Sequence, residues 1–223
     1  MPNVKLVAIT NPVVGGINTA EEFVAYAARV SNPGNQINNE TAPKLLAYLM
    51  KHKHWSPLEM VSLTMEIETT RDIGRQILRH RSFSFQEFSQ RYADAREMGF
   101  EFRDARLQDQ KNRQNSIDTN DVDLKMLWQS KQESVLGESQ KAYDWAIKNG
   151  IAKEQARAVL PEGMTHSRLY MAGSLRSWIH YCALRCANGT QKEHQEVALK
   201  SWDVICKEFP SIAAISAEVL LNG

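Results

Sequence analysis

Cysteine is scarce in this sequence: 223 residues contain three, Cys182, Cys186 and Cys206. Three thiols without a Cys-x-x-Cys pair cannot close a disulfide framework and offer zinc a poor ligand set. They fit a chain that folds in a reducing compartment, and no metal site is expected. Long apolar runs are missing as well. None approaches the roughly 20 residues that a membrane-spanning helix requires. The opening Met1-Pro2-Asn3-Val4-Lys5 lacks the charged-then-apolar pattern of a secretory leader. A cytoplasmic protein without membrane partners is the expectation. Nor is there an excess of charge of one sign, since 27 basic and 26 acidic residues leave a formal net charge of +1. A broad basic coat for nucleic acid is thereby excluded, and any anion site must be built from a local cluster. What the chain does have is core material, with 43% hydrophobic and 24% charged residues, ordinary for a globular domain.

Periodicity orders that material. Val4 to Thr10 reads as a strand closed by Asn11-Pro12, and Thr19 as the cap of a helix reaching about Val30. Ala42 to Lys51 reads as a second helix. From Val61 to Thr70 the pattern alternates, with Val61, Leu63, Met65 and Ile67 apolar and their neighbours polar, which predicts a half-buried strand. Arg71 to His80 is predicted helical, and Ser82 to Glu87 is predicted to leave that helix as an irregular segment. Arg103 to Asp121 is polar and poor in aromatics and reads as a surface excursion. Asp121 to Lys148 supports one long helix or two meeting near Gly137. Met164 to Met171 reads as a strand, Ser174 to Ala187 and Gln191 to Glu208 as helices, and Pro210 opens a short last one. The sum is a mixed α/β chain in which helix predominates.

The segment from Arg71 to Arg91 stands apart, with five arginines and no lysine. Guanidinium presents a planar fork of donors suited to phosphate, whereas ammonium acts as a point charge. On a helix Arg75, Gln76, Arg79 and His80 share an arc opposite Ile73 and Ile77, so one face can pack while the other meets a ligand. Phe83, Phe85 and Phe88 interleave with Ser84, Glu87, Ser89 and Arg91, a mixture that a merely solvated stretch does not need.

The run from Arg79 to Tyr92, RHRSFSFQEFSQRY, resembles the signature RHRxxSxxxxSxR of the flavin-dependent thymidylate synthases. Arg79, His80, Arg81, Ser84, Ser89 and Arg91 fall in register, and Glu87 fills the acidic position. Further segments follow in the family's order. Ala28 to Ser31 resembles ARVS, and His54 to Glu59 resembles H-x-[ST]-P-x-E. Ala156 to Pro161 resembles ARxxLP, and Leu184-Arg185 the late LR. Three positions depart from the pattern: Ser174-Leu175-Arg176 stands for a usual Asn-x-Arg, Gln86 for a commoner asparagine, and Met60 for a frequent histidine.

The resemblance implies a single-domain α+β subunit with a small, mostly antiparallel sheet, assembled as a homotetramer with sites where subunits meet. It implies conversion of dUMP to dTMP with FAD tightly bound, and with NADPH and methylenetetrahydrofolate as co-substrates. By matching position, Gln76, Arg79, Glu87, Phe88, Ser89, Gln90, Arg91, Arg157 and Arg185 would surround dUMP. Ser31, His54, Ser56, Glu59, Arg79, His80, Arg81, Glu87, Ser174, Arg176 and His180 would hold the flavin. Arg185 would be the catalytic cation that makes the uracil ring electron-rich at carbon 5.

Residue chemistry agrees with that division. Arg176, His180 and Leu184 recur every fourth residue and form one stripe of the predicted helix, while Arg185 projects elsewhere. Cys182 and Cys186 share the arc of Leu175 and Ile179, a core setting that does not favour a nucleophilic thiolate. The alternative from another class is an arginine-rich nucleotide- or nucleic-acid-binding module without catalysis, against which the small net charge argues.

Overall fold

The computed structural model describes residues 2–215. Its first half runs β1 (Asn3–Ile9), α1 (Ala20–Ala28), α2 (Ala42–Lys51), β2 (Ser62–Thr70), α3 (Arg71–Ile77) and β3 (Ser84–Glu87). A hairpin of β4 (Arg106–Gln108) and β5 (Ser116–Asp118) leads into α4 (Val122–Lys148). The short α5 (Lys153–Ala156), β6 (His166–Ser174), α6 (Leu175–Arg185), α7 (Lys192–Glu208) and α8 (Pro210–Ala213) complete the described chain.

The main sheet has the order β1-β2-β6-β3, and all its pairings are antiparallel. The chain is therefore mixed α+β. Alternation does the sorting. Leu63, Met65 and Ile67 of β2 are buried on one face, and Met171 and Leu169 of β6 pair with Met65 and Ile67 across the ladder. Each such side chain contributes roughly 1.5–3 kcal/mol on burial. The same core takes Trp178, Tyr181 and Cys182 from α6, and Val197, Trp202 and Ile205 from α7. Thr64, Glu66, Glu68, Arg168 and Tyr170 lie on the other face, which stays partly open.

Local signals explain the element ends. Thr19 and Glu22 form a reciprocal capping box: Thr19 Oγ1 accepts from Glu22 N at 3.1 Å, and Glu22 Oε2 accepts from Thr19 N at 3.2 Å. Asp121 caps α4 through Leu124 N at 2.9 Å. That helix runs unbroken through Gly137, where a Cβ would meet nothing within 4 Å.

Two expectations are corrected and a third gains detail. Ser82–Glu87 is not irregular throughout: Ser84–Glu87 forms the edge strand β3 on β6. Its alternation is real, because Phe83 is buried against Trp178 while Phe85 packs on the core two residues later. The predicted helix to His80 ends at Ile77, and Leu78 closes it with its N–H on Gly74 O at 2.9 Å. The Arg103–Asp121 excursion is a hairpin with a buried base. There the Arg103 and Arg106 side chains, 16% and 13% exposed, both pair with Glu193.

Candidate active site

α6 is the spine of the site. Ser174 caps it by accepting from Ser177 N at 3.2 Å, and the Trp178 indole N–H donates to Leu63 O at 3.2 Å, which pins the helix to β2. Glycine at 173 admits the neighbouring loop, because a Cβ there would lie 2.5 Å from the Phe83 ring. At 1.5 Å rise per residue, Arg176 and Arg185 stand about 14 Å apart along the axis. Each end of α6 carries a different cluster.

At the N-terminal end, Glu59 Oε2 accepts from Ser174 Oγ at 2.5 Å, and Glu59 Oε1 accepts from Arg176 Nη1 at 2.6 Å. The Ser174 bond first, and the Arg176 bond after it, hold the Glu59 carboxyl below its usual range. His180 lies edge-on to Trp55 with centroids 4.6 Å apart. Partial burial, reinforced by Arg176, lowers its basicity. Ser56 is exposed on the same 3-10 turn as Glu59, Ser56–Met60. Five of the residues expected around flavin thus gather here: Ser56, Glu59, Ser174, Arg176 and His180. His54 is exposed and faces Tyr48 and His52 instead, with ring centroids at 5.8 and 6.1 Å. Ser31, Arg79 and Arg81 are exposed, and among the described residues their side chains make no hydrogen bond or ion pair.

At the C-terminal end, Arg185 Nε donates to His80 Nε2 at 3.0 Å. A guanidinium cannot accept, so His80 Nε2 carries no proton and the imidazole is neutral. Burial, with help from Arg185 and Arg79, lowers the His80 pKa to about 4, in agreement with that state. Both Nη groups of Arg185 are left without a hydrogen bond among the described residues. Gln76 is engaged on both sides, its Nε2 donating to Gln191 Oε1 at 2.7 Å and its Oε1 facing His194 Nδ1 at 3.2 Å.

A third cluster surrounds a cavity of about 200 Å³ lined by Arg71, Arg75, Gln90, Arg157 and Glu162. Arg71 Nη1 and Gln90 Nε2 are buried there without a hydrogen-bond partner. Arg71 Nη1 does lie 3.5 Å from Glu87 Oε1, an ion pair by distance that lacks hydrogen-bond geometry. Burial lowers the Arg71 pKa, which Glu87 partly offsets. Arg91 and Arg157 meet over one residue: Arg91 Nε is 3.5 Å from Glu154 Oε2, and Arg157 Nε donates to Glu154 O at 3.4 Å. Glu87, expected against both ligands, is turned inward and accepts from Ser167 Oγ at 2.8 Å. Phe88 continues β3 by donating its N–H to Arg168 O at 2.8 Å, and Ser89 Oγ accepts from Arg91 N at 3.4 Å.

Two of the three thiols are poorly placed for a catalytic part. Cys182 is fully buried and its pKa is pushed well up by burial, and burial raises Cys186 to about 11.

Residue reasoning did not single out Arg71, Glu154, Tyr181, Gln191 or Glu193. One signal was present: Tyr181 precedes Arg185 by four residues and so shares its helical face. The other contacts are tertiary and leave no spacing to read.

An α+β scaffold with guanidiniums at both ends of one helix, and with an arginine and a glutamine nitrogen lacking hydrogen-bond partners in a third cluster, suits an enzyme that handles an anionic ligand such as a nucleotide. The family described as Thymidylate synthase complementing protein matches residues 13–211. A probable flavin-dependent thymidylate synthase of Paramecium bursaria Chlorella virus 1 is 54% identical over 209 residues, covering 94% of this chain and 96% of the relative. The flavin-dependent thymidylate synthase of Synechocystis sp. is 48% identical over 215 residues, 95% and 98% of the two chains. Among solved structures, the UMP/dUMP methylase PolB from Streptomyces cacaoi bound with 5-Br dUMP superposes with a TM-score of 0.81 at 28% identity, covering 97% of this chain and 95% of that one. The chain belongs to the flavin-dependent thymidylate synthase family, and its reaction is the methylation of dUMP to dTMP.

Proposed function

We propose that residues 1–223 form one catalytic unit that uses FAD, reduced by NADPH, with methylenetetrahydrofolate as the one-carbon donor, and that acts as a homotetramer. The observation that carries the residue assignment is Arg185, tethered through Nε with its Nη fork open. Such a fork can donate to a uracil carbonyl and stabilise negative charge on the ring amide, which makes carbon 5 nucleophilic. Arg91 and Arg157, drawn together at Glu154, form the clamp for the phosphate. Gln90 and the remaining signature residues complete the nucleotide's surroundings.

The donors at the other end of α6 suit FAD. Arg176 is 42% exposed, and Ser56 and His180 are solvent-facing beside it. With the exposed Arg79 and Arg81 they offer the cations and hydroxyls that a diphosphate and ring carbonyls accept. When bound there, FAD supplies the hydride that no amino-acid side chain can. Glu59 keeps Arg176 and Ser174 in place from below. The motif match assigns Ser31 and His54 to this set as well, although His54 turns toward Tyr48 and His52, and it assigns His80 to the flavin while His80 holds Arg185.

The test is a visible absorption spectrum of the protein after FAD loading, recorded before and after addition of dUMP. About one flavin per subunit with a spectrum that dUMP perturbs is the expected result. Failure to retain flavin, or a spectrum indifferent to dUMP, would remove the shared site.

A further inference from the structure

We propose that Tyr181 and His194 are positioning residues for Arg185, at the end of a one-way hydrogen-bond chain that starts from Glu193 beneath the β4–β5 hairpin. The inference rests on the reading that Arg185 polarises the uracil.

The direction of the chain follows from donor and acceptor chemistry together with the burial of His194. Glu193 is paired with Arg103 Nη1 at 3.3 Å and with Arg106 Nη2 at 2.5 Å, so it is ionised and can only accept. Gln191 therefore turns its Nε2 to Glu193 Oε2, at 3.0 Å, and its Oε1 the other way. That oxygen needs a donor, which Gln76 Nε2 provides at 2.7 Å. Gln76 Oε1 then faces His194 Nδ1 at 3.2 Å, and Nδ1 has to carry the proton. A neutral His194 leaves Nε2 bare, and the Tyr181 hydroxyl donates to it at 3.1 Å. Reversing any link as far as His194 Nδ1 would set two donors or two acceptors against each other, and the last link keeps its direction because burial holds His194 neutral.

Tyr181 is the outlet. It is 2% exposed, and its ring meets the His80 ring edge-on with centroids 4.9 Å apart. Phe83 backs it at 6.0 Å and Trp178 at 5.9 Å. His80, so confined, presents Nε2 to Arg185. The hydroxyl bond to His194 thus sets the tilt of the ring on which the Arg185 anchor rests. The hairpin fixes the origin through Arg106. A misplacement of about 1 Å at a reacting group can lower a rate about 100-fold. The chain is built to prevent such a shift.

Filling the core would explain the burial of these residues but not their polarity, and the two roles separate experimentally. dTMP formation is measured with the full-length, FAD-loaded protein for wild type, Tyr181→Phe, His194→Gln, His194→Leu and Arg185→Lys. Positioning predicts that Tyr181→Phe lowers kcat roughly 10- to 100-fold while flavin content and KM for dUMP stay within about twofold. His194→Gln, which keeps an acceptor near the Nε2 position, should retain clearly more kcat than His194→Leu. The inference is overturned if Tyr181→Phe turns over at the wild-type rate. It is equally overturned if the two His194 variants are equal, or if kcat, flavin content and thermal midpoint fall together. Should Tyr181→Phe not fold, the His194 pair decides alone. Wild-type turnover by Arg185→Lys would instead sink the underlying reading of Arg185.

Discussion

At Arg185 one nitrogen of the guanidinium is held by His80 and two remain open to a ligand. Arg185→Ala is expected to retain flavin, since the residues gathered around Glu59 are untouched, and to lose dTMP formation by about 100- to 1,000-fold. Flavin absorbance and product analysis on the same preparation check both halves. The two buried histidines predict a pH effect on stability. His80 titrates near 4 and His194 near 3, burial being the larger cause in each, against 6.5 for an ordinary histidine. As pH falls below 6.5, the unfolded chain binds protons that the folded chain refuses, so stability declines toward pH 4, and His194 extends the decline to about 3. Urea midpoints measured across this range should fall with pH, and His194→Gln should flatten the slope. An unchanged slope would mean that His194 is not held neutral.

Among the elements, β3 and the segment before it decide how the signature meets α6. Gly173→Ala would drive a methyl group into the Phe83 ring and should cost about 1–3 kcal/mol. Chemical denaturation measures this directly. Most elements were legible beforehand, for physical reasons that can be named. The alternation of Leu63, Met65 and Ile67, the Thr19 capping box and the Asp121 cap are local signals, and β2, α1 and α4 follow them. β3 is an edge strand of four residues whose hydrogen bonds all go to β6, far along the chain, so its Phe83-x-Phe85 alternation was read as the exit of a helix. The candidate site was legible where a motif or a helical stripe carries it, as with Arg176, His180 and Arg185. It was not legible at His194, a lone histidine on a helix whose burial depends on Tyr181 and Gln76 from other elements. Nor could the base of the hairpin be foreseen, because the partner of Arg103 and Arg106 is Glu193.

Across the whole molecule, apolar surface is left over. Val122, Leu124, Met126, Leu127, Trp128, Val135 and Trp145 of α4 are exposed, as is Tyr170 on the open face of the sheet. Single exposed hydrophobes are ordinary, but a run of them along one helix suits association. The proposed homotetramer would cover such surface, and the exposed Arg79, Arg81 and Arg91 would then serve sites built from more than one subunit. Trp128→Glu is expected to lower the mass seen by light scattering and, with it, flavin retention. A wild-type monomer that binds flavin fully would contradict shared sites.

Thymidylate synthesis without a cysteine nucleophile is tested most directly by dTMP formation in two variants, one with Cys182, Cys186 and Cys206 all replaced by alanine and one with Arg185→Ala. With FAD, NADPH and methylenetetrahydrofolate supplied, the cysteine-free protein should make dTMP at close to the wild-type rate and the arginine variant should make almost none. A folded, flavin-loaded cysteine-free protein that makes no dTMP, or an Arg185→Ala protein that makes it normally, would contradict this assignment.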